Sequence, residues 1–269
     1  MRRIVFFLSL AVLALQARAA DDVPPHDSFT MPGVTAAETR HINVYTPPGY
    51  ATSKARYPVL YMPDGGLEED FPHVARALDE GIRKGEIQPL ILVGIENTER
   101  RRDMTGPTSV ASDRRIAPRV GGSAGFRAFI ATKLVSEVGK RYRVDGHRGV
   151  IGESLAGLFA LESLQREPKL FDTVIAISPS VWWNADALIR DLPVAMAEGD
   201  PSPHRIYLTS ADEENIAPGV EQLVRTLRSS LPRRAATIEY VPRPSAHHDT
   251  IYRESEAQAL RWAYPPMDN

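Results

Sequence analysis

The sequence predicts an α/β fold, with a mainly parallel central sheet and helices on both of its faces. The first observation is that strand-like and helix-like segments alternate along most of the chain, as expected when each helix connects two parallel strands. The second is that the strand-like segments, such as residues 57–62 and 89–95, are nearly continuous apolar runs. Strands buried on both faces have this composition. Ligands of such sheets bind beyond the carboxyl ends of the strands.

The first half of the chain contains three predicted strands and two predicted helices. Alternating residues predict a strand at 41–45, and apolar runs predict the buried strands at 57–62 and 89–95. Apolar side chains at every third or fourth position predict helices at 71–84 and 126–142. The stretch between the last of these strands and the second helix is polar, rich in arginine and without periodicity, which predicts a long loop.

The second half of the chain repeats strand and helix in turn. No internal repeat or long linker divides it, so residues 21–269 are expected to form one domain. The predicted strands are 149–151, 171–178, 205–209 and 237–241. One predicted helix begins at Leu155, a second occupies part of 179–192 after a loop, and two more occupy 219–231 and 255–264.

The first twenty residues have the pattern of a secretory signal peptide. Arg2 and Arg3 precede an apolar run at 4–15, and small residues at 17–20 provide a cleavage site. The run is short for a membrane span, although a retained anchor is the alternative. We therefore expect export, to a bacterial periplasm or to the medium, with no membrane association after cleavage.

Composition excludes several kinds of site. The chain has no cysteine, which rules out disulfides, thiolate metal sites and a cysteine nucleophile. The formal net charge is −2 with the leader included, so nothing indicates a nucleic-acid partner.

A serine lies in a tight turn between a predicted strand and a predicted helix, at Ser154. Strand, serine turn and helix form the nucleophile elbow of α/β-hydrolases, which requires small residues two positions before and after the serine. Gly152 meets the first requirement, and Ala156 stands where glycine is usual. The alternative is an ordinary serine cap at a helix start.

The base should follow the last strand, since the chain order in this fold is serine, acid, histidine. His247 and His248 lie there. We select His248 because it leads directly towards the last helix, and His247 remains the competitor.

The acid should follow the strand at 205–209. Asp212, Glu213 and Glu214 are the candidates, and we select Glu214 because it lies three residues after the small Ala211. Acidic residues are also favoured at helix starts by the helix dipole, and a serine–histidine dyad without an acid is a further alternative.

An oxyanion formed during acyl transfer needs backbone donors. One is expected from the residue after the nucleophile, Leu155. The second is expected from the glycine turn after the strand at 57–62, where Gly66 is selected. The alternative is a glycine turn with no catalytic role.

Several distinctive strings are spread over most of the chain after the leader. They are Pro58-Val59-Leu60-Tyr61-Met62-Pro63-Asp64-Gly65, the string Val93 to Thr105, Gly152-Glu153-Ser154-Leu155-Ala156-Gly157, Ser178-Pro179-Ser180-Val181-Trp182-Trp183, and the segment around His248. On these the chain resembles the putative-esterase family of α/β-hydrolases, and within it the bacterial periplasmic siderophore esterases of the enterobactin and bacillibactin type. The resemblance implies the α/β-hydrolase fold and ester hydrolysis through an acyl-enzyme, without metal or cofactor. Ala156 and the acidic Glu153 depart from the family pattern.

The arginine-rich loop and a tryptophan pair are the predicted substrate contacts. Arg100 and Arg102 could bind an anionic, planar group, such as a ferric catecholate siderophore. Trp182 and Trp183 could supply apolar walls. The alternatives are pairing of these arginines with nearby carboxylates and packing of both tryptophans in the core.

The expected function is therefore a serine carboxylic-ester hydrolase acting on a small molecule, a ferric-siderophore trilactone or a related ester. Acyl transfer to an acceptor other than water is the second hypothesis. A non-catalytic binding protein on a retained hydrolase fold is the third. The oligomeric state is not predicted.

Overall fold

The computed structural model describes residues 23–35, 37–198, 204–232 and 235–267. The predicted signal peptide, residues 1–20, lies outside the described residues. Within those ranges no helix is both long enough and apolar enough to cross a membrane.

The described strands form one sheet in the order β1-β2-β4-β3-β5-β6-β7-β8. From β4 across to β8 each neighbouring pair is parallel, whereas β1 and β2 run antiparallel at one edge. This confirms the predicted α/β class and mainly parallel sheet. The strands are β1 His26–Pro32, β2 Thr39–Tyr45, β3 Tyr57–Pro63, β4 Ile91–Ile95, β5 Val144–Glu153, β6 Thr173–Ile177, β7 His204–Thr209 and β8 Ala236–Tyr240.

Helices connect the parallel strands. The predicted helix at 126–142 consists of three pieces, since a π-helical turn at Ile130–Leu134 separates α4 from α5. The helices are α1 Phe71–Arg83, α2 Arg100–Asp103, α3 Ala111–Arg114, α4 Ser123–Phe129, α5 Val135–Arg141, α6 Leu155–Arg166, α7 Trp183–Glu198, α8 Ala217–Ser230 and α9 Ile251–Ala263. The first turn of α7 is irregular, with left-handed backbone at residues 184–186.

The core lies in two layers, one on each face of the sheet. In β3, Val59 and Tyr61 pack into the layer covered by α4 to α8, while Leu60 and Met62 pack into the layer covered by α1 and α9. Successive side chains of a strand point to opposite faces, and both faces of β3 are covered. This explains why the strand reads as a continuous apolar run.

Strand β1 is absent from the sequence prediction, which treats residues 21–31 as a polar leader. Among the described strands it pairs with β2 alone, and all of its side chains are half-buried or exposed. An edge strand with little burial has no apolar pattern to detect. The amino-terminal half of β5 escapes prediction for the same reason, because its side chains from Val144 to Arg148 are not buried.

Candidate active site

Ser154 lies on a strained turn between β5 and α6. Its φ of 57° and ψ of −117° place a non-glycine residue at positive φ, which costs about 1–3 kcal/mol and persists only where the surroundings enforce it. A Cβ on Gly152 would lie 2.5 Å from the Cβ of Ala156. The absence of that Cβ is what makes room for Ala156, so the departure from glycine at 156 leaves the elbow intact.

His248 reaches the serine from the loop between β8 and α9. Its Nε2 lies 3.1 Å from Ser154 Oγ, within hydrogen-bond distance. The loop is held by its own backbone, since the N–H groups of Thr250 and Ile251 donate to the His247 carbonyl. His247 has an exposed side chain, and its N–H bonds to Thr250 Oγ1 at 3.1 Å. Of the two predicted histidines, the structure places His248 at the serine.

The carboxylate that reaches His248 is Glu213, which bonds to its Nδ1. The selection of Glu214 is therefore corrected: Glu214 and Asp212 both have exposed side chains, whereas the Glu213 side chain is 10% exposed. A tight turn decides this. The Glu213 N–H bonds to the Ala211 carbonyl, and the Asp212 N–H bonds to the carbonyl of Ala246 in the histidine loop, each at 3.0 Å.

Two buried serines after β6 support the site, and sequence reasoning assigned neither a role. Ser178 donates its hydroxyl hydrogen bond to Glu213. The Oγ of Ser180 lies 3.2 Å from Ser154 Oγ, and its N–H donates to the Ser154 carbonyl at 3.0 Å. The sequence does contain a sign of their role. Two serines flank Pro179 at the carboxyl end of a buried strand, where ligands of parallel sheets bind.

The two predicted oxyanion donors differ in availability. Leu155 is the first residue of α6, where backbone N–H groups have no acceptor within the helix. The N–H of Gly66 donates instead to Glu69 Oε2 at 2.7 Å. Gly66 is therefore not a free donor in this structure, because a carboxylate three residues along its own turn occupies it.

The predicted arginine contacts are already engaged by carboxylates. Arg100 makes a two-pronged ion pair with Asp64, with N–O distances of 2.7 and 2.8 Å. Arg102 contacts Asp103 at 2.6 Å, Glu99 at 2.8 Å and Glu38 at 3.0 Å. The predicted substrate role of Arg102 is corrected to a structural one.

The two predicted tryptophan contacts differ in burial. Trp183 is 2% exposed and donates from Nε1 to the Gly106 carbonyl at 2.9 Å. Trp183 packs in the core, which is the alternative that the sequence left open. Trp182 is half-buried, with its ring centroid 5.9 Å from that of Trp183.

Two glutamate carboxyl groups lie near the two ring nitrogens of His248. Glu153 Oε1 lies 3.9 Å from His248 Nε2, on the side opposite to the Glu213 contact at Nδ1. Burial raises the pKa of the Glu153 carboxyl to about 8; nearby Asp70 and Asp64 add to this effect, and Arg100 opposes it. Among the described residues, no three histidine, aspartate or glutamate side chains converge in an arrangement suited to a metal ion.

The sequence is similar to those of known esterases. Residues 34–262 match the family described as "Putative esterase". The ferri-bacillibactin esterase BesA of Bacillus subtilis is 29% identical over 70% of this chain and 73% of its own length. The iron(III) salmochelin esterase of Escherichia coli O6:H1 is 27% identical over 68% of this chain but only 42% of its own length.

A solved structure supports the fold. The IroE-like serine hydrolase from Shewanella oneidensis superposes with a TM-score of 0.79 and 24% identity, covering 88% of this chain and 79% of its own. The family match spans most of the sequence, and the mainly parallel sheet with helices on both faces agrees with an α/β-hydrolase. The chain belongs to the putative-esterase family.

Proposed function

We propose that this protein is a serine ester hydrolase that works through an acyl-enzyme. The observation that carries the proposal is the continuous chain of contacts from Ser154 Oγ to His248 Nε2 and from His248 Nδ1 to Glu213. A serine hydroxyl is activated when it is hydrogen-bonded to a base and an acid orients that base.

Each group has a defined part in the proposed reaction. Ser154 Oγ attacks the ester carbonyl carbon while its proton passes to His248 Nε2, and Glu213 stabilises the resulting imidazolium. The carbon–oxygen bond to the alcohol then breaks, and His248 returns the proton to the departing alcohol oxygen. A water molecule attacks the acyl-enzyme by the same route, its proton passing to His248, and Ser154 recovers its proton as the acid leaves.

The oxyanion is proposed to bind the N–H of Leu155 and one further donor. The Gly66 N–H could serve only if Glu69 releases it. The close approach of Ser180 to Ser154 Oγ makes its hydroxyl the alternative second donor.

The proposed substrate is a small-molecule ester of the siderophore class or a related one. The support comes from relatives named as siderophore esterases, which include proteins matched over two thirds or more of this chain. Export before hydrolysis is proposed from the signal-like leader at residues 1–20, and fractionation of cells producing the full chain would test it.

The activity is tested with purified protein, p-nitrophenyl esters and an iron-free trilactone siderophore. We expect Ser154→Ala and His248→Ala to lower kcat by roughly 10⁴-fold or more, and His247→Ala to remain within a few-fold of the wild type. A fluorophosphonate should label the wild type but not Ser154→Ala. Hydrolysis that persists in a folded Ser154→Ala variant would refute the proposal.

A further inference from the structure

The residue before the nucleophile is the feature that the proposed reaction leaves unexplained. Glu153 is the last residue of β5, and its side chain is 17% exposed. In the described part of the chain its carboxyl forms no hydrogen bond, and Oε1 lies 3.9 Å from His248 Nε2. A carboxyl that is poorly solvated, without a hydrogen bond and open to an active site is a candidate functional group.

The position of Glu153 relative to the histidine identifies the part of the substrate it faces. His248 Nε2 must deliver a proton to the departing alcohol oxygen, which therefore comes within about 3 Å of that nitrogen. Because Glu153 Oε1 lies 3.9 Å from the same nitrogen, the alcohol portion of the ester passes close to this carboxyl.

The charged groups around Glu153 are mostly carboxylates, and the arginine among them is already paired. Asp64 and Asp70 act on it from the loop between β3 and α1, and Glu213 acts from the loop after β7. The opposing charge is Arg100 of α2, which Asp64 already holds at two points.

The remaining neighbours are polar but not permanently charged. His248 faces Glu153 from the loop before α9, and Tyr252 on α9 lies near enough to sense its charge. Ionisation of Glu153 therefore adds a negative charge to a site that already has an excess of carboxylates over cations.

We propose that Glu153 is a specificity-determining residue that selects esters by the charge of their alcohol portion, favouring positively charged or neutral alcohols over anionic ones. This inference rests on the proposed function and deepens it. It replaces the sequence-based expectation of an arginine-lined site for an anionic complex, because those arginines are paired and the group beside the leaving alcohol is acidic.

Selection by Glu153 should depend on pH. Its carboxyl is mostly protonated below about pH 8 and negative above it, so discrimination should grow as pH rises through that value. A ratio of kcat/KM between two esters at the same pH cancels every pH effect that the two substrates share.

The test uses three acetate esters with matched alcohols. They are acetylcholine, its uncharged isostere with carbon in place of nitrogen, and the acetate ester of the sulfonate isethionate. Neither the ammonium nor the sulfonate titrates between about pH 6.5 and pH 9.5, the range to be measured by acetate release. We expect the cationic-to-neutral ratio to rise, and the anionic-to-neutral ratio to fall, by roughly tenfold across this range.

Variants of Glu153 test whether this residue causes the change of the two ratios with pH. Glu153→Gln should hold both ratios constant with pH, and Glu153→Ala should do the same if the glutamine variant is poorly folded. Glu254→Gln, which removes an exposed carboxylate on α9, should behave as the wild type. Ratios that are flat in the wild type, or unchanged by both Glu153 variants, would overturn the inference while leaving hydrolysis of the neutral ester as support for the proposed function. Failure of all three esters to react, with p-nitrophenyl esters also inert, would overturn both.

Discussion

Ser178 and His248 contact the two oxygens of one carboxylate. The Ser178 hydroxyl donates a hydrogen bond to Glu213 Oε2, and His248 Nδ1 pairs with Glu213 Oε1. Ser178 is fully buried and has a φ of 39°, an unfavourable value for a residue with a side chain. Its N–H bonds to the Thr209 carbonyl at 3.0 Å, which fixes this turn against the end of β7. The acid is thus positioned by a neighbouring strand as well as by its own loop.

Loss of this contact should slow the reaction without weakening substrate binding. A hydrogen bond to a charged group contributes about 1.5–3 kcal/mol, so we expect Ser178→Ala to lower kcat by roughly tenfold to a hundredfold while KM changes little. The control is Ser163→Ala, which removes a buried hydroxyl bonded to the Phe159 carbonyl on α6. If both variants lose the same activity in proportion to their loss of thermal stability, Ser178 has only a structural role.

The identity of the acid is tested by two adjacent residues. Glu213→Gln should lower kcat/KM by about a hundredfold or more, because the amide cannot stabilise the imidazolium as a carboxylate does. Glu214→Gln changes an exposed carboxylate one residue away and should have an effect below about threefold. Steady-state kinetics on a neutral p-nitrophenyl ester decide the matter, and a larger loss in the Glu214 variant would restore the sequence-based choice.

The contrast between these two glutamates shows what the sequence could and could not predict. The serine turn is a short local pattern that selects Ser154, and the chain order of the fold narrows the base to His247 and His248; the structure brings Ser154 and His248 together. The choice between Glu213 and Glu214 depends on a turn fixed by the Ala246 carbonyl. That contact joins loops more than thirty residues apart in the sequence, and no local pattern encodes it.

The arginine cluster shows the same limit at a longer range. Its density suggested a binding site for an anion, but Arg102 pairs with Glu99 and Asp103 nearby in the sequence, and the other carboxylates that pair with the cluster come from distant elements. Glu38 lies sixty-four residues before Arg102, and the buried Arg40 joins the cluster through Asp103. The fold class was predictable because each buried strand has its own apolar run, whereas charge pairing is a property of the assembled sheet.

Arg102 should therefore matter for stability rather than for substrate charge. Its side chain is 17% exposed and contacts three carboxylates, and removal of one partner of a buried ion pair is costly. Because Arg40 still pairs with Asp103, we expect Arg102→Ala to cost about 2–3 kcal/mol, which is a fall in Tm of roughly 5–10 °C.

The control for Arg102 contacts one of the same carboxylates from the surface. Arg119 is 68% exposed and lies 2.5 Å from Glu99, so Arg119→Ala should change Tm by less than about 3 °C. Both variants should retain the wild-type preference among charged and neutral esters. A selective loss of anionic-ester hydrolysis in Arg102→Ala would return this arginine to the substrate site.

A buried histidine predicts how stability changes with pH. His73 on α1 lies between Asp70, with Nε2 3.2 Å from Oδ1, and Glu256 on α9, which bonds to Nδ1. Burial by itself disfavours the charged imidazole, but the hydrogen bonds and charges of the two carboxylates outweigh it and raise the pKa of His73 to about 9. The folded protein therefore keeps this proton at a pH where the unfolded chain has lost it.

The sign of the effect follows from that difference. A histidine in the unfolded chain titrates near 6.5, so the contribution of His73 to the free energy of unfolding is fully present below about pH 6.5. It is lost as pH rises from about 6.5 through about 9, and on the order of 3 kcal/mol should disappear. His73→Gln should lack this contribution at low pH and should differ least from the wild type above pH 9. Urea unfolding of both proteins across this range gives the difference directly, with the exposed His147→Gln as the control for histidine loss at the surface. If the free energy of unfolding differs between the wild type and His73→Gln by the same amount at every pH, His73 is not the group whose protonation stabilises the contact between α1 and α9.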